Sequence, residues 1–383
     1  MATTSKALEI LAEASKSLVN PALLDWKKQG GKIVGFYYDY IPEELFTAAG
    51  ILPYRMRATG STGTELSDAY FSAINCSFVR HSFDMLLRGS MNFLDGLVVH
   101  NFCDHMRRIY DNCKVTDSIT SQIPFMHFIV LPKKRGDEQV AHYRSELESL
   151  KKHLEEHFHV QITDEKLSEA IKTHNTTRRL QREIYELRKR EVPPISGAEV
   201  LAVLVGGTAM PREYYNELLG QLVEDLKVAK VDATKPRARL MVVGGGAIDD
   251  PRFIEVLESQ GGVVVTDAMS FGARAISADV AETGDPLSAL AHYELFDRTP
   301  TVRLCLTSSE RNEFVLNTAK EYRVDGVISV ATNYCDPWNF ELLNTERYLV
   351  PKKVPHLALQ CEYLLSGVGQ MKTRVQAFME TLR

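Results

Sequence analysis

Two stretches decide how this chain is read: LDGLVVHNFCD at residues 94–104 and VDGVISVATNYCD at residues 324–336. Each runs from an apolar residue through Asp-Gly into a β-branched segment, then Asn, an aromatic residue and Cys-Asp. Asp95 lies 8 residues before Cys103, and Asp325 lies 10 before Cys335. Short β-branched runs of this kind read as buried strands. One shared dipeptide would carry no weight, but a whole strand repeated with its ending is the mark of a duplicated unit.

The flanking segments agree. In the first half, KIVGFYYDY at 32–40 reads as a strand, Pro42 opens the helix PEELFTAAG, Gly50 ends it, and ILPYRM follows as a strand. In the second half RLMVVGGGAID is strand and turn, Pro251 opens PRFIEVLESQGG, Gly261 ends it, and GVVVTDA is the next strand. NCSFVRHSFDMLLRG and SSERNEFVLNTAKEY read as helices, FMHFIVLP and HLALQCEY as strands, and MKTRVQAFMETLR as an amphipathic terminal helix. Strands alternating with helices predict an α/β fold of two related, doubly wound domains with mainly parallel sheets. The predicted division is a first α/β domain over 1–135, a charged and mostly helical segment over 136–235, and a second α/β domain with its C-terminal helix over 236–383. KPRAR at 235–239 is expected to be an exposed connector.

Composition bounds the function. The chain has 383 residues, 44% hydrophobic and 25% charged, which is ordinary for a globular protein. A net charge of -5 supplies no basic field for sequence-independent nucleic-acid binding, so no nucleic-acid partner is expected. MATTSKALEILAEASK alternates apolar and polar residues, and no later run reads as a membrane span. A cytoplasmic protein without a membrane partner is the expectation. Six cysteines, at positions 76, 103, 113, 305, 335 and 361, are too few for a disulfide framework and include no CxxC pair.

In open parallel sheets, ligand sites lie beyond the carboxyl ends of the strands. Cys103 and Cys335 stand at such ends. If the two domains face one another, both thiols enter one cleft, whereas a single free cysteine is more often plain core. Cys76, in NCSF before a helix, is the third candidate. His100 falls three residues before Cys103 on a strand and should project to another face. Three thiolates without an evident fourth ligand suit an iron–sulfur cluster with one open iron rather than a closed zinc site.

At this point a resemblance enters. YIPEELFTAAGILPYRM, NCSF, the FCD and YCDPW strand ends, EYRVDGVI and the terminal GQMKTRVQAFMETL resemble the 2-hydroxyacyl-CoA dehydratase and benzoyl-CoA reductase family over nearly the whole chain outside its helical middle. Within it, the chain is most similar to the smaller iron–sulfur subunit of ATP-dependent benzoyl-CoA reductases. The resemblance implies a 4Fe-4S cluster held by Cys76, Cys103 and Cys335, and a heterodimer with a homologous cluster-bearing subunit. It also implies a separate ATPase activator with its own iron–sulfur centre, so that ATP is consumed outside this chain. The implied reaction is one-electron reduction of an aromatic acyl-CoA to a dienoyl-CoA. A radical 2-hydroxyacyl-CoA dehydratase subunit is the alternative chemistry, and a structural or electron-relay subunit without its own catalytic site the alternative class. Tyr38, Glu43, His100 and His105 lie in the matching regions as candidates for proton donation. The chain departs from the family pattern at LALQCEY, where Cys361 precedes Glu362, and no role is carried over there.

Three other motifs read as structure. VVGGGAIDD sets Gly244 and Gly246 like the first glycines of a dinucleotide fingerprint but has Asp249 where the third belongs, and no GxxxxGK[ST] loop occurs. HLEEH at 153–157 fits a zinc-peptidase pattern yet lies among Lys and Glu at helical spacing. GSTGTELSD at 60–68 could offer amides to a CoA phosphate, with an ordinary loop as the plainer reading.

Overall fold

The computed structural model describes residues 5–230, 235–245 and 247–382, so Gly246 lies outside the described residues. Among the described residues, eight strands form two sheets. β1 (Lys32–Phe36), β2 (Ile51–Arg55), β3 (Gly96–His100) and β4 (Phe125–Ile129) pair in the order β2-β1-β3-β4. β5 (Ala238–Gly244), β6 (Gly262–Ala268), β7 (Gly326–Thr332) and β8 (His356–Cys361) pair in the order β6-β5-β7-β8. Every pairing in both sheets is parallel. The same order appears in each half, so the repeat is one of topology as well as of sequence.

The repeated Asp-Gly has a physical cause. Asp95 sits at the entry to β3, where its carboxylate accepts from the Ile33 amide at 2.9 Å and its own amide donates to the Ile33 carbonyl at 2.8 Å. Asp325 does the same to Arg239, at 2.7 and 2.8 Å. Each aspartate thus locks the register of the inner strand against its neighbour. The glycine that follows leaves room: a Cβ on Gly96 would lie 2.7 Å from the Phe125 ring, and one on Gly326 2.7 Å from the Phe378 ring. Phe378 belongs to the C-terminal helix Val368–Thr381. Gly326→Ala is therefore expected to push that helix off the second sheet and to cost about 1–3 kcal/mol of overpacking in urea unfolding, with the slope of the transition unchanged.

Between β4 and β5 along the chain, the described residues form four α-helices, Asp137–Phe158, Asp164–Leu187, Gly197–Gly206 and Arg212–Val228. Their apolar stripes bury Leu147, Leu150, Ile184 and Leu222. The first helix, Lys6–Ser15, shares a core with them: Leu8 and Leu11 pack in one cluster with Val203, Leu218 and Leu222. Among the described residues, no helix is long and apolar enough to cross a membrane.

The first strand is shorter than its sequence suggests. After the exposed Lys32 the run stays buried through 33–40, but the ladder stops at Phe36, and Tyr38 and Tyr40 take φ of 63° and 66°. Left-handed backbone at a non-glycine residue is strained by about 1–2 kcal/mol. Burial alone does not make a strand, and here the chain leaves the sheet and folds across its carboxyl end. The helices Pro286–His292 and Asp336–Leu349 carried no sequence expectation; both begin with proline in the first turn.

Candidate functional site

Three helices begin at cysteines. Cys76 is the N-cap of Ser77–Leu87, Cys103 of Asp104–Val115 and Cys335 of Asp336–Leu349. In none does the side chain close a capping hydrogen bond, and these helices of 11, 12 and 14 residues are long enough to carry a full terminal dipole. Cys103 follows β3 and Cys335 follows β7, the inner strands that occupy equivalent places in the two sheets. The end of each inner strand is held by its asparagine. Asn101 Oδ1 accepts from the Leu131 amide at 2.7 Å, and the Asn333 amide donates to the Cys361 carbonyl at 2.8 Å.

The fold brings these three thiols together. The neighbouring Cys335 thiol pulls Cys76 well below the ordinary thiol range despite its burial. The His105 side chain and the Thr332 hydroxyl, 3.7 Å from Cys76 Sγ, act in the same direction. The same interaction holds Cys335 well above that range, with burial adding to it. Burial pushes Cys103 up to about 12, against the Met106 and His105 amides that face its sulfur. All three thiols lie within electrostatic reach of Tyr38. Burial, and then Cys335, Cys76 and Cys103, hold the Tyr38 hydroxyl well above its ordinary pKa, so it keeps its proton. Its ring packs on Phe102 at 4.6 Å and on Phe78 at 6.3 Å, which walls the thiols with aromatic carbon.

Among the described residues, no group of three or more His, Cys, Asp and Glu side chains is disposed to hold a metal ion. The fit to an iron–sulfur cluster therefore rests on the donor set and its surroundings. Soft thiolates are the right ligands, and three helix N-termini supply the partial positive charge that an anionic cluster needs. The donor chemistry suits such a group.

The other candidates scatter. His105 joins the thiols. His100 is fully buried, and neither ring nitrogen has a hydrogen-bond partner among the described residues; burial, with Arg303 nearby, drives its pKa down to about 4. It is thus a neutral packing residue against Phe102. Glu43 pairs with Arg212 on the wall of a separate cavity. Cys113 is fully buried inside its helix, and burial pushes its thiol up. Cys361 is half-buried at the end of β8, and burial, then Glu362, raise it to about 12. Thr332 was missed by sequence reading, although it stands three residues before Cys335, just as His100 stands before Cys103.

The glycine-rich turns are explained by packing. A Cβ on Gly244 would lie 2.9 Å from the Val330 carbonyl, and one on Gly245 2.7 Å from the Trp338 ring. The helix Pro251–Glu258 is capped by Asp250, which accepts from the Arg252 amide at 3.0 Å. Asp249 accepts from the Tyr363 hydroxyl at 2.9 Å, and burial lifts its pKa to about 6. In the 60–68 turn the Leu66 and Ser67 amides donate to Asp84 at 2.8 and 3.2 Å, so a carboxylate of this chain already occupies them. Within HLEEH, His153 meets His127 at 2.8 Å and His157 packs on Phe125 and Phe158.

Comparison with known proteins shows which family the chain joins. The beta subunit of (R)-2-hydroxyglutaryl-CoA dehydratase from Acidaminococcus fermentans is 28% identical over 97% of this chain and 99% of its own length. The (R)-phenyllactyl-CoA dehydratase beta subunit of Clostridium sporogenes is 26% identical over 93% of each. A benzoyl-CoA reductase subunit of Thauera aromatica is 26% identical over 92% of this chain and 90% of its own. A Mn-bound periplasmic metal-binding protein from Candidatus Liberibacter asiaticus aligns over 92% of this chain and 100% of its own at 9% identity, but a TM-score of 0.20 bears on neither fold nor metal. The profile of the family described as 2-hydroxyglutaryl-CoA dehydratase, D-component, matches residues 39–382, and the chain belongs to that family of acyl-CoA dehydratase and reductase subunits.

Proposed function

We propose that this chain is the cluster-bearing subunit of a heteromeric enzyme that passes single electrons to an acyl-CoA thioester, with Cys76, Cys103 and Cys335 holding a 4Fe-4S cluster. The observation that carries this is the meeting of three cysteine N-caps, two of them at equivalent strand ends of a duplicated fold. When bound, such a cluster supplies low-potential single electrons. The chain's own residues do the rest. The helix termini stabilise negative charge, His105 and Thr332 orient Cys76, and Tyr38 with Phe78 and Phe102 excludes water. Tyr38 Oη, which keeps its proton beside the thiols, is the candidate donor to a radical anion.

The finer reading is a benzoyl-CoA reductase of the ATP-dependent kind. In that reading a homologous cluster-bearing subunit completes a heterodimer, and a separate iron–sulfur ATPase activator in the cytoplasm consumes the ATP. All six cysteines are unpaired thiols, as a reducing compartment requires. Dehydration of a 2-hydroxyacyl-CoA is the second reading, favoured by relatives whose names are those of dehydratase beta subunits. Both begin with one electron delivered to a thioester, so ligand residues do not separate them. The test is an anaerobic preparation with its partner subunit and activator, screened on benzoyl-CoA and on 2-hydroxyacyl-CoA thioesters. A brown, iron- and sulfide-containing protein that consumes benzoyl-CoA in step with ATP is the expected result. Turnover of the hydroxyacyl substrate alone would replace the reductase reading by the dehydratase one. Colourless protein under strict anaerobiosis would sink both.

A further inference from the structure

Tyr38 also borders a cavity of about 110 Å³ that none of the cysteines lines. Its walls carry four carboxylates, Asp39, Glu43, Glu44 and Glu294, and four guanidiniums, Arg55, Arg178, Arg212 and Arg298. Most of these pair off. Glu44 meets Arg178 at 2.6 Å, Glu294 meets Arg298 at 2.7 Å, and Glu43 meets Arg212. Asp39 stands apart. It serves Arg55 at 3.7 Å, Arg298 at 3.3 Å and, from behind the wall, Arg274 at 3.5 Å. Asp39 is the one carboxylate among the described residues within ion-pair distance of Arg274. With Arg274 behind the wall, five guanidiniums therefore share the four carboxylates. Burial drives His174 well below its ordinary value, so that ring adds no charge of its own.

The second observation is independent of charge. Arg55 Nη2, Arg212 Nε, and Arg298 Nε and Nη2 make no hydrogen bond among the described residues, and the two Nη2 atoms have only the ion-pair approach to Asp39. Their side chains are only 9%, 7% and 6% exposed, and all three line the cavity. Buried N–H groups are almost always satisfied, and an uncompensated buried cation is costly. One anion in the cavity answers both. The guanidinium fork is matched to a planar carboxylate or a phosphate. An excess of a single positive charge favours a monoanion over a phosphate dianion. Phe36, Ile41, Leu204 and Phe271 on the same walls suit a short carbon chain.

We infer that this cavity binds a small monocarboxylate. The test is calorimetric titration of the full chain, dialysed into chloride buffer of matched ionic strength, with sodium acetate and separately with inorganic phosphate. Saturable acetate binding, weakened at least tenfold in Arg298→Gln, is the expected result. Thr208→Phe fills the cavity from a half-buried wall position and leaves every guanidinium in place, so it decides the matter if Arg298→Gln fails to fold. Absence of saturable acetate binding, tighter binding of phosphate, or unchanged acetate affinity in Thr208→Phe would each overturn the inference. None of these readouts needs iron, so failure here leaves the cluster reading standing.

Discussion

Cys103→Ser is expected to remove iron from the anaerobic chain and take the assembled enzyme to background activity, while leaving the fold as stable as before or more so. The usual rule is that losing a buried side chain costs stability. Here the residue is an N-cap with extended backbone, φ -142° and ψ 174°, and the His105 and Met106 amides already face its sulfur. Serine is among the best residues at such a position, worth up to about 1 kcal/mol relative to a non-capping residue. A hydroxyl is a far poorer ligand for iron than a thiolate. Iron content and thermal midpoint should therefore move independently. Cys113→Ser gives the contrast. That thiol is buried in a helix interior with no cap to make, so its serine should cost about 1–3 kcal/mol as an unsatisfied hydroxyl and leave iron untouched. If Cys103→Ser keeps its iron and loses stability instead, the strand-end cysteines are core and the chain is a structural subunit.

Asp39→Asn should be the most destabilising single change in the first half. Asp39 is buried between Arg55, Arg274 and Arg298 and accepts from Ser270 Oγ at 2.9 Å. Removing the charge leaves three guanidiniums around a neutral amide, and breaking a buried network of this kind costs about 3–5 kcal/mol. The pH dependence follows with a definite sign. Burial opposes ionisation of Asp39, but Arg298, Arg55 and Arg274 outweigh it and hold its pKa below the ordinary value. Glu44 behaves alike: burial is outweighed by Arg178, with a smaller contribution from His174, and the carboxyl falls to about 2. Lowered carboxyl values stabilise the fold above the unfolded-state pKa of roughly 4 and lose that contribution as pH falls through the folded values. Urea midpoints of the native chain should begin to fall below about 6.5, where the buried neutral His100 and His174 resist the protonation open to the unfolded chain, and drop more steeply below 4 as the carboxylates titrate. In Asp39→Asn the midpoint should start lower and fall less over the same interval. An unchanged slope of midpoint against pH would mean that Asp39 is not the group being titrated.

How much of this was legible in the sequence divides along a physical line. The strand-to-helix alternation, the duplicated halves and the Asp-Gly entries are local. They arise from side-chain period, from proline and glycine at helix ends, and from a carboxylate bonding its neighbouring strand, and each leaves a pattern within a dozen residues. The placing of Cys103 and Cys335 at strand ends followed from the same local pattern. The end of β1 did not, because the 37–41 run is as apolar as a strand and only its left-handed tyrosines turn it out of the sheet.

Tertiary structure decided which side chains meet. Cys76 touches Thr332 and Cys335 across more than half the chain, and the choice of His105 over His100 depends on which side of a helix start faces the second sheet. Asp39 looks in sequence like one polar residue in an aromatic run. Its three arginines come from β2 and from two segments beyond residue 270. Charges so far apart along the chain leave no periodicity to read. Their pairing is set by the packing of one duplicated domain against the other, where water is excluded and each buried guanidinium must find an anion.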